Sequence, residues 1–176
     1  QRAVLDGVRA QLVQRHRDLL LPVINARGGA GKPTGGDGLV AAFPDATHAL
    51  QAAVEMQQAL VAHARKHPDE RAISVRIGLA SGEVVVDSGG RPFIGAGLNL
   101  AARVMNLGDG GCIMATRATV DAAPGSCPAA HSHGCFELKN IATPVEVVEV
   151  LWHEGQAPAA IPGAPISPAS AGEEQE

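Results

Sequence analysis

The sequence predicts an α+β sandwich, helices laid over an antiparallel-rich sheet, on three observations. Two long segments repeat apolar residues at helical spacing, the stretch Ile73-Ser-Val-Arg-Ile-Gly-Leu79 alternates strictly, and Gly- and Asp-rich turns join short apolar runs. The 176 residues suit one domain, since domains usually hold about 100 to 200. Apolar residues make up 45% and aromatic ones only 2%, so Val, Leu, Ile and Ala must build the core.

Residues 1–27 carry Leu5, Val8, Leu12, Leu19, Leu20 and Val23 at helical spacing, and Pro22 is expected to kink this helix or mark its last turns. Gly28-Gly29 stops it. The run from Arg27 to Thr34 invites a phosphate-loop reading, but that motif needs Gly where Ala26 stands and Ser or Thr where Pro33 stands. It is better read as the first arm of a hairpin whose second arm is Leu39 to Phe43. Its tip, Gly35-Gly36-Asp37-Gly38, presents one carboxylate, a natural ligand for a hard metal ion. The glycines are expected to supply positive φ angles and room for a bulky ligand.

Asp45 is a good N-cap for the next helix, with its stripe of Ala46, Ala49, Leu50, Ala53, Val54, Leu60, Val61 and Ala64, and Pro68 ends it. Its histidines His48, His63 and His67 read as solvated polar residues. Ile73–Leu79 is the clearest strand, with residues 83–86 expected to return as its partner after the Ser81-Gly82 turn and Asp87–Gly90 as a further loop. Residues 98–107 form a short helix closed by Gly108: Leu100, Ala101, Val104 and Met105 face inward, while Asn99, Arg103 and Asn106 share the opposite face at i, i+4 and i+7. A strand follows at residues 112–115, then a brief helix capped by Thr116. Residues 136–138 and 145–151 make a last strand pair around a turn at 140–144. Beyond Trp152 the composition shifts to Gly, Ala, Pro, Ser, Gln and Glu, so 1–152 is expected as the folded domain and 153–176 as a disordered tail or linker.

The net charge of −4 argues against a general nucleic-acid or anionic-membrane surface. Cys112, Cys127 and Cys135 are odd in number and lack metal-ligand spacing, as expected of reduced thiols in the cytoplasm. No apolar run approaches the roughly 20 residues that span a bilayer, and no signal peptide is expected. The chain opens on Gln1, so the natural start is expected upstream.

Four segments, Gly36-Asp37-Gly38-Leu-Val-Ala-Ala-Phe, Val75-Arg-Ile-Gly-Leu-Ala-Ser-Gly-Glu83, Gly95-Ala-Gly-Leu-Asn99-Leu-Ala-Ala-Arg103-Val-Met and Leu138-Lys139-Asn-Ile-Ala-Thr-Pro144-Val, resemble the catalytic domain of class III adenylyl and guanylyl cyclases. They occur in that family's order and span about residues 1–152. The resemblance implies a ferredoxin-like sandwich. It also implies an enzyme that closes a purine nucleoside triphosphate, with ATP favoured over GTP, into its 3′,5′-cyclic monophosphate and pyrophosphate. By the same resemblance Asp37 holds two Mg²⁺ or Mn²⁺ ions, Arg103 binds the α-phosphate, Asn99 orients the ribose and Lys139 holds the terminal phosphates. Gly36, Gly38 and Lys32 line the nucleotide, and a homodimer brings Asp37 of one chain to Asn99 and Arg103 of the other.

Two departures stand out. The family's first metal-binding Asp lies on a strand before the opening helix, and nothing here supplies it; Asp6 falls inside the helical pattern. The 176 residues alone are therefore expected to be a poor catalyst. Where adenine-specific members carry a Lys four residues before the hairpin Asp and an Asp or Thr seven before the helix Asn, this chain has Pro33 and Pro92, with Lys32 one residue out of register. That leaves ATP against GTP open. It also leaves open a degenerate, regulatory cyclase-like domain. A third alternative, a diguanylate cyclase of the Gly-Gly-Asp-Glu-Phe type, meets Gly38 where that family has Glu.

Overall fold

The computed structural model describes residues 2–90 and 92–166. The elements are α1 (Arg2–Ala26), β1 (Ala30–Pro33), β2 (Leu39–Ala42), α2 (Ala46–Lys66), β3 (Ile77–Leu79), β4 (Val85–Val86), β5 (Pro92–Ile94), α3 (Ala96–Met105), β6 (Ile113–Thr116), α4 (Arg117–Asp121), β7 (Ala130–Phe136) and β8 (Val145–Val150). A four-stranded sheet runs in the order β3-β6-β8-β7, and β1–β2 and β4–β5 form separate two-stranded sheets. The architecture is α+β, as expected.

Strand alternation sorts the core into two layers. Ile113 and Ala115 of β6, with Val148 and Val150 of β8, face Leu20 and Ile24 of α1 and Leu50, Ala53 and Leu60 of α2. Met114 and Val147 point to the other face, where Val104 of α3, Phe136 and Leu138 cover them. β6 and β8 are thus buried on both sides, each large aliphatic side chain contributing about 1.5–3 kcal/mol.

Local chemistry sets the boundaries. α1 continues through Pro22 to its last turn and stops at Gly28, whose φ of 71° is left-handed, with Gly29 N–H bonding the Ile24 carbonyl at 2.9 Å. Asp45 caps α2, its Oδ1 accepting from the His48 N–H at 2.9 Å, and the bonds from His48 hold its carboxyl below the ordinary range. Thr116 caps α4 through the Thr119 N–H at 3.2 Å. Arg27 ties α1 to α2, donating to Gln51 and forming a forked pair with Glu55 that keeps the Glu55 carboxyl below its ordinary value. That contribution is complete above the unfolded carboxyl's pKa near 4.5 and fades as pH falls through the lower folded value. The urea midpoint is therefore expected to decline below about pH 4.5, and Glu55→Gln to flatten part of that slope.

Two expectations are corrected. The alternating stretch is a regular strand only over Ile77–Leu79; at Val75 the carbonyl is taken by Gly111 N–H and Gln57 Nε2, both at 2.8 Å, rather than by a ladder. Residues 83–86 do not return beside it. Instead β3 pairs in parallel with β6, with Ile77 opposite Ile113, while β4 pairs with β5. Parallel pairing needs a crossover, and α3 provides it. Alternation reports which face is buried but not which strand lies alongside. Among the described residues β2 and β3 each keep one edge without a strand neighbour.

Gly78 makes the crossover possible, since a Cβ there would lie 2.2 Å from the Ala101 carbonyl oxygen and 2.5 Å from the Met105 Cβ. Gly78→Ala is expected to push α3 off β3 and cost about 1–3 kcal/mol in urea unfolding. At its start α3 is held by Gly97 N–H on the Glu83 carbonyl at 3.2 Å, where Gly82 and Gly97 meet backbone to backbone.

β7 begins at Ala130, earlier than predicted, and shifts register between Ser132 and Gly134. Residues 153–166 contain no helix, yet they lie along the domain: Ala159 and Ile161 pack on the second core layer, and Ile166 N–H reaches the Cys135 carbonyl at 2.8 Å. The rest of the expected tail, 167–176, lies outside the described residues.

Candidate functional site

Asp37 stands exposed at the tip of the β1–β2 hairpin, whose strands pair Pro33 with Leu39 and Lys32 with Val40. Thr34 N–H closes the turn on the Gly38 carbonyl at 2.9 Å. The expected positive φ angles are not found: Gly35, Gly36 and Gly38 all avoid the left-handed region. Their use is space. Among the described residues nothing lies within 4 Å of a Cβ placed on Gly35 or Gly36, whereas one on Gly38 would sit 2.6 Å from the Thr34 Oγ1. Lys32 is half-buried on β1, and Pro33, at the register where adenine-specific cyclases carry Lys, is exposed.

From below, α1 meets this turn. Arg17 Nη2 donates to the Gly36 carbonyl at 3.0 Å. His16 is buried, its Nδ1 has no partner among the described residues, and burial pushes its imidazole below the ordinary value while Asp37's charge opposes that shift. Neither residue was legible as part of the site; a His-Arg pair within an amphipathic helix reads as ordinary surface.

α3 carries Asn99 and Arg103 one turn apart on its outer side, Asn99 exposed and Arg103 half-buried. Val104 faces the second core layer, with Leu100 against it. Among the described residues Arg103 pairs with no carboxylate. Lys139 is exposed in the β7–β8 connection, between Leu138 and Ile141, which pack on the same second layer as Leu100 and Leu107.

The sequence-predicted residues therefore fall into two groups. Asn99, Arg103 and Lys139 rise from elements joined through one core layer, whereas Asp37 and Lys32 sit on a hairpin whose Leu39 and Ala41 pack on the other. No hydrogen bond or ion pair among the described residues links the groups.

Magnesium commonly takes one or two carboxylates and completes its shell with substrate phosphates and water, and an exposed Asp37 in an open glycine turn fits that use. A pair of ions asks for a further carboxylate, and among the described residues no cluster of three or more His, Cys, Asp or Glu is placed to hold a metal. No described helix is long and apolar enough to cross a membrane.

No protein-family model matches the chain. It is 31% identical over 137 residues to "Putative adenylate cyclase 3" of Rhizobium meliloti (strain 1021), a match over 77% of this chain but only 23% of that protein's length. Among solved structures it is similar to an adenylate/guanylate cyclase/hydrolase from Silicibacter pomeroyi, with a TM-score of 0.70 and 28% identity over 85% of this chain and 88% of that one. It is also similar to an adenylate cyclase from Trypanosoma brucei in its monomeric state, with a TM-score of 0.73 and 19% identity over 91% of this chain and 87% of that one. The chain has the fold of the class III adenylyl and guanylyl cyclase catalytic domain and resembles that family in sequence.

Proposed function

We propose that this domain is the catalytic unit of a cytoplasmic nucleotide cyclase that acts as a homodimer on a purine nucleoside triphosphate, ATP being the proposed substrate. The observation that carries the reading is the division of the candidate residues into an acidic turn and a cationic helix face, each incomplete alone. A two-fold dimer supplies both halves twice.

In the reaction the ribose 3′-hydroxyl attacks the α-phosphorus, the new P–O bond forms as the bond to the β-phosphate breaks, pyrophosphate leaves, and the hydroxyl proton passes to solvent. Arg103, a planar fork of N–H donors, binds the α-phosphate oxygens where charge builds. Asn99, on the same helix face, orients the ribose, so that the hydroxyl and the phosphorus meet in line. Lys139 holds the terminal phosphates, and the uncovered backbones of Gly35 and Gly36 let the triphosphate approach Asp37. Mg²⁺ or Mn²⁺, held by Asp37 and a further carboxylate from outside the described residues, would lower the hydroxyl's pKa and neutralise the phosphates.

The β4–β5 hairpin, which leads into α3, exposes Val85, Val86 and Ile94 at 58%, 48% and 60%. An apolar patch of this kind beside the helix supports a dimer contact. Val86→Asp is expected to shift the protein toward monomer in analytical ultracentrifugation and to lower product formation in step. A second reading, a regulatory dimerisation domain without turnover, draws on the single carboxylate at the site. Measuring cyclic nucleotide release from the full-length natural protein with ATP or GTP and Mn²⁺ decides between them: product supports the cyclase and names its base, while a folded dimer that releases none leaves the regulatory domain.

A further inference from the structure

We propose that Arg17 is a positioning residue for the Asp37 turn: by holding the Gly36 carbonyl it fixes where the neighbouring carboxylate points. The inference rests on the reading of Asp37 as a metal-holding group. Three features of the turn call for such a device. Its glycines lie outside the left-handed region, so no special backbone geometry locks them. Among the described residues nothing lies within 4 Å of a Cβ on Gly35 or Gly36, so no side chain packs on that side of the tip. Thr34 N–H on the Gly38 carbonyl closes the base of the loop and leaves its tip to swing.

Arg17 answers this from 19 residues away, its Nη2 donating to the Gly36 carbonyl at 3.0 Å. Among the described residues this is the one hydrogen bond from elsewhere in the fold to residues 34–38. The arginine is itself seated in α1, three residues before Leu20 enters the core, with its Nε buried and, among the described residues, unpartnered. Its neighbour His16 is buried. A carbonyl gripped by a side chain of a rigid helix transmits that rigidity to the next residue, which is Asp37.

The test compares wild type with Arg17→Met, Arg17→Lys and Asp37→Ala in the full-length protein. Mn²⁺ affinity is read by electron paramagnetic resonance with a non-reactive ATP analogue present, alongside kcat, KM and urea unfolding. Loss of an outer contact to a metal ligand typically weakens binding by about 10–100-fold. Arg17→Met is expected to weaken Mn²⁺ about tenfold and to lower kcat more than it raises KM, with Arg17→Lys, which keeps one donor, recovering most of the affinity. Mn²⁺ affinity in Arg17→Met equal to wild type, while Asp37→Ala weakens it, overturns the positioning role. A lowered urea midpoint with unchanged affinity also overturns it, assigning Arg17 to stability alone. Asp37→Ala binding Mn²⁺ like wild type overturns the metal reading instead.

Discussion

Asp37→Ala and Arg103→Ala are each expected to cut cyclic nucleotide formation by the full-length protein by about 10²–10³-fold, the usual effect of removing one group aimed at developing charge. Neither should change the unfolding free energy in urea by more than about 0.5 kcal/mol, since both replace residues outside the two core layers. Mixing the variants makes the sharper test. In an equimolar mixture half the dimers contain one chain of each kind, and such a dimer keeps one intact site of two, joining Asp37 from the Arg103→Ala chain to Arg103 from the Asp37→Ala chain. Activity should therefore return to about a quarter of wild type. A mixture as inactive as its components would mean that each chain assembles its own site, contrary to the division seen between the hairpin and α3.

The second large effect concerns stability. Glu149 is 1% exposed on the face of β8 that the segment after Trp152 crosses. Its carboxylate faces His133 Nε2 at 2.9 Å and accepts from Ala159 N–H at 2.9 Å. Gln156 Nε2 is a third donor at 3.4 Å. Burial, with Glu149 adding to it, raises the neighbouring Cys112 thiol above its ordinary pKa. Glu149→Ala strands all these donors at once, so it is expected to cost about 3–5 kcal/mol in urea unfolding. The double change Glu149→Leu with His133→Leu removes acceptor and donor together and should recover part of that loss. Protease cleavage within 153–166 of Glu149→Ala, absent in wild type, would show that the segment has come loose.

Features set by neighbours in sequence were legible without coordinates. The Asp45 and Thr116 caps, the hairpin around Asp37 and the outward face of α3 follow from spacings of a few residues. What depended on distant partners was not. Ile73–Leu79 declares a buried face, yet nothing in it says that its partner is Ile113–Thr116 rather than the nearer Val85-Val86. Residues 130–132 are exposed, and 130–135 hold no large aliphatic or aromatic apolar side chain, so β7's first half carries no alternation to detect. The stretch from His153 to Ile166 has too few large apolar residues to look ordered, and it is anchored by the buried Glu149 carboxylate, by Ala159 and Ile161 on the second core layer and by the Ile166 bond to Cys135. Arg17 escaped notice for the same reason, because its only distinction is a carbonyl 19 residues away. For Asp37, Asn99, Arg103 and Lys139 the sequence indicated the elements correctly, and their chemistry awaits the variants above.

The separation of the acidic turn from the α3 face has a quantitative corollary. If a complete site exists only where two chains meet, then in the dilute limit the number of sites grows with the square of chain concentration. Doubling the chains present in a fixed volume gives about four times the output, and confining the same chains to half the volume gives about twice. Such a domain would act as a coincidence detector, its output reporting how often two copies meet.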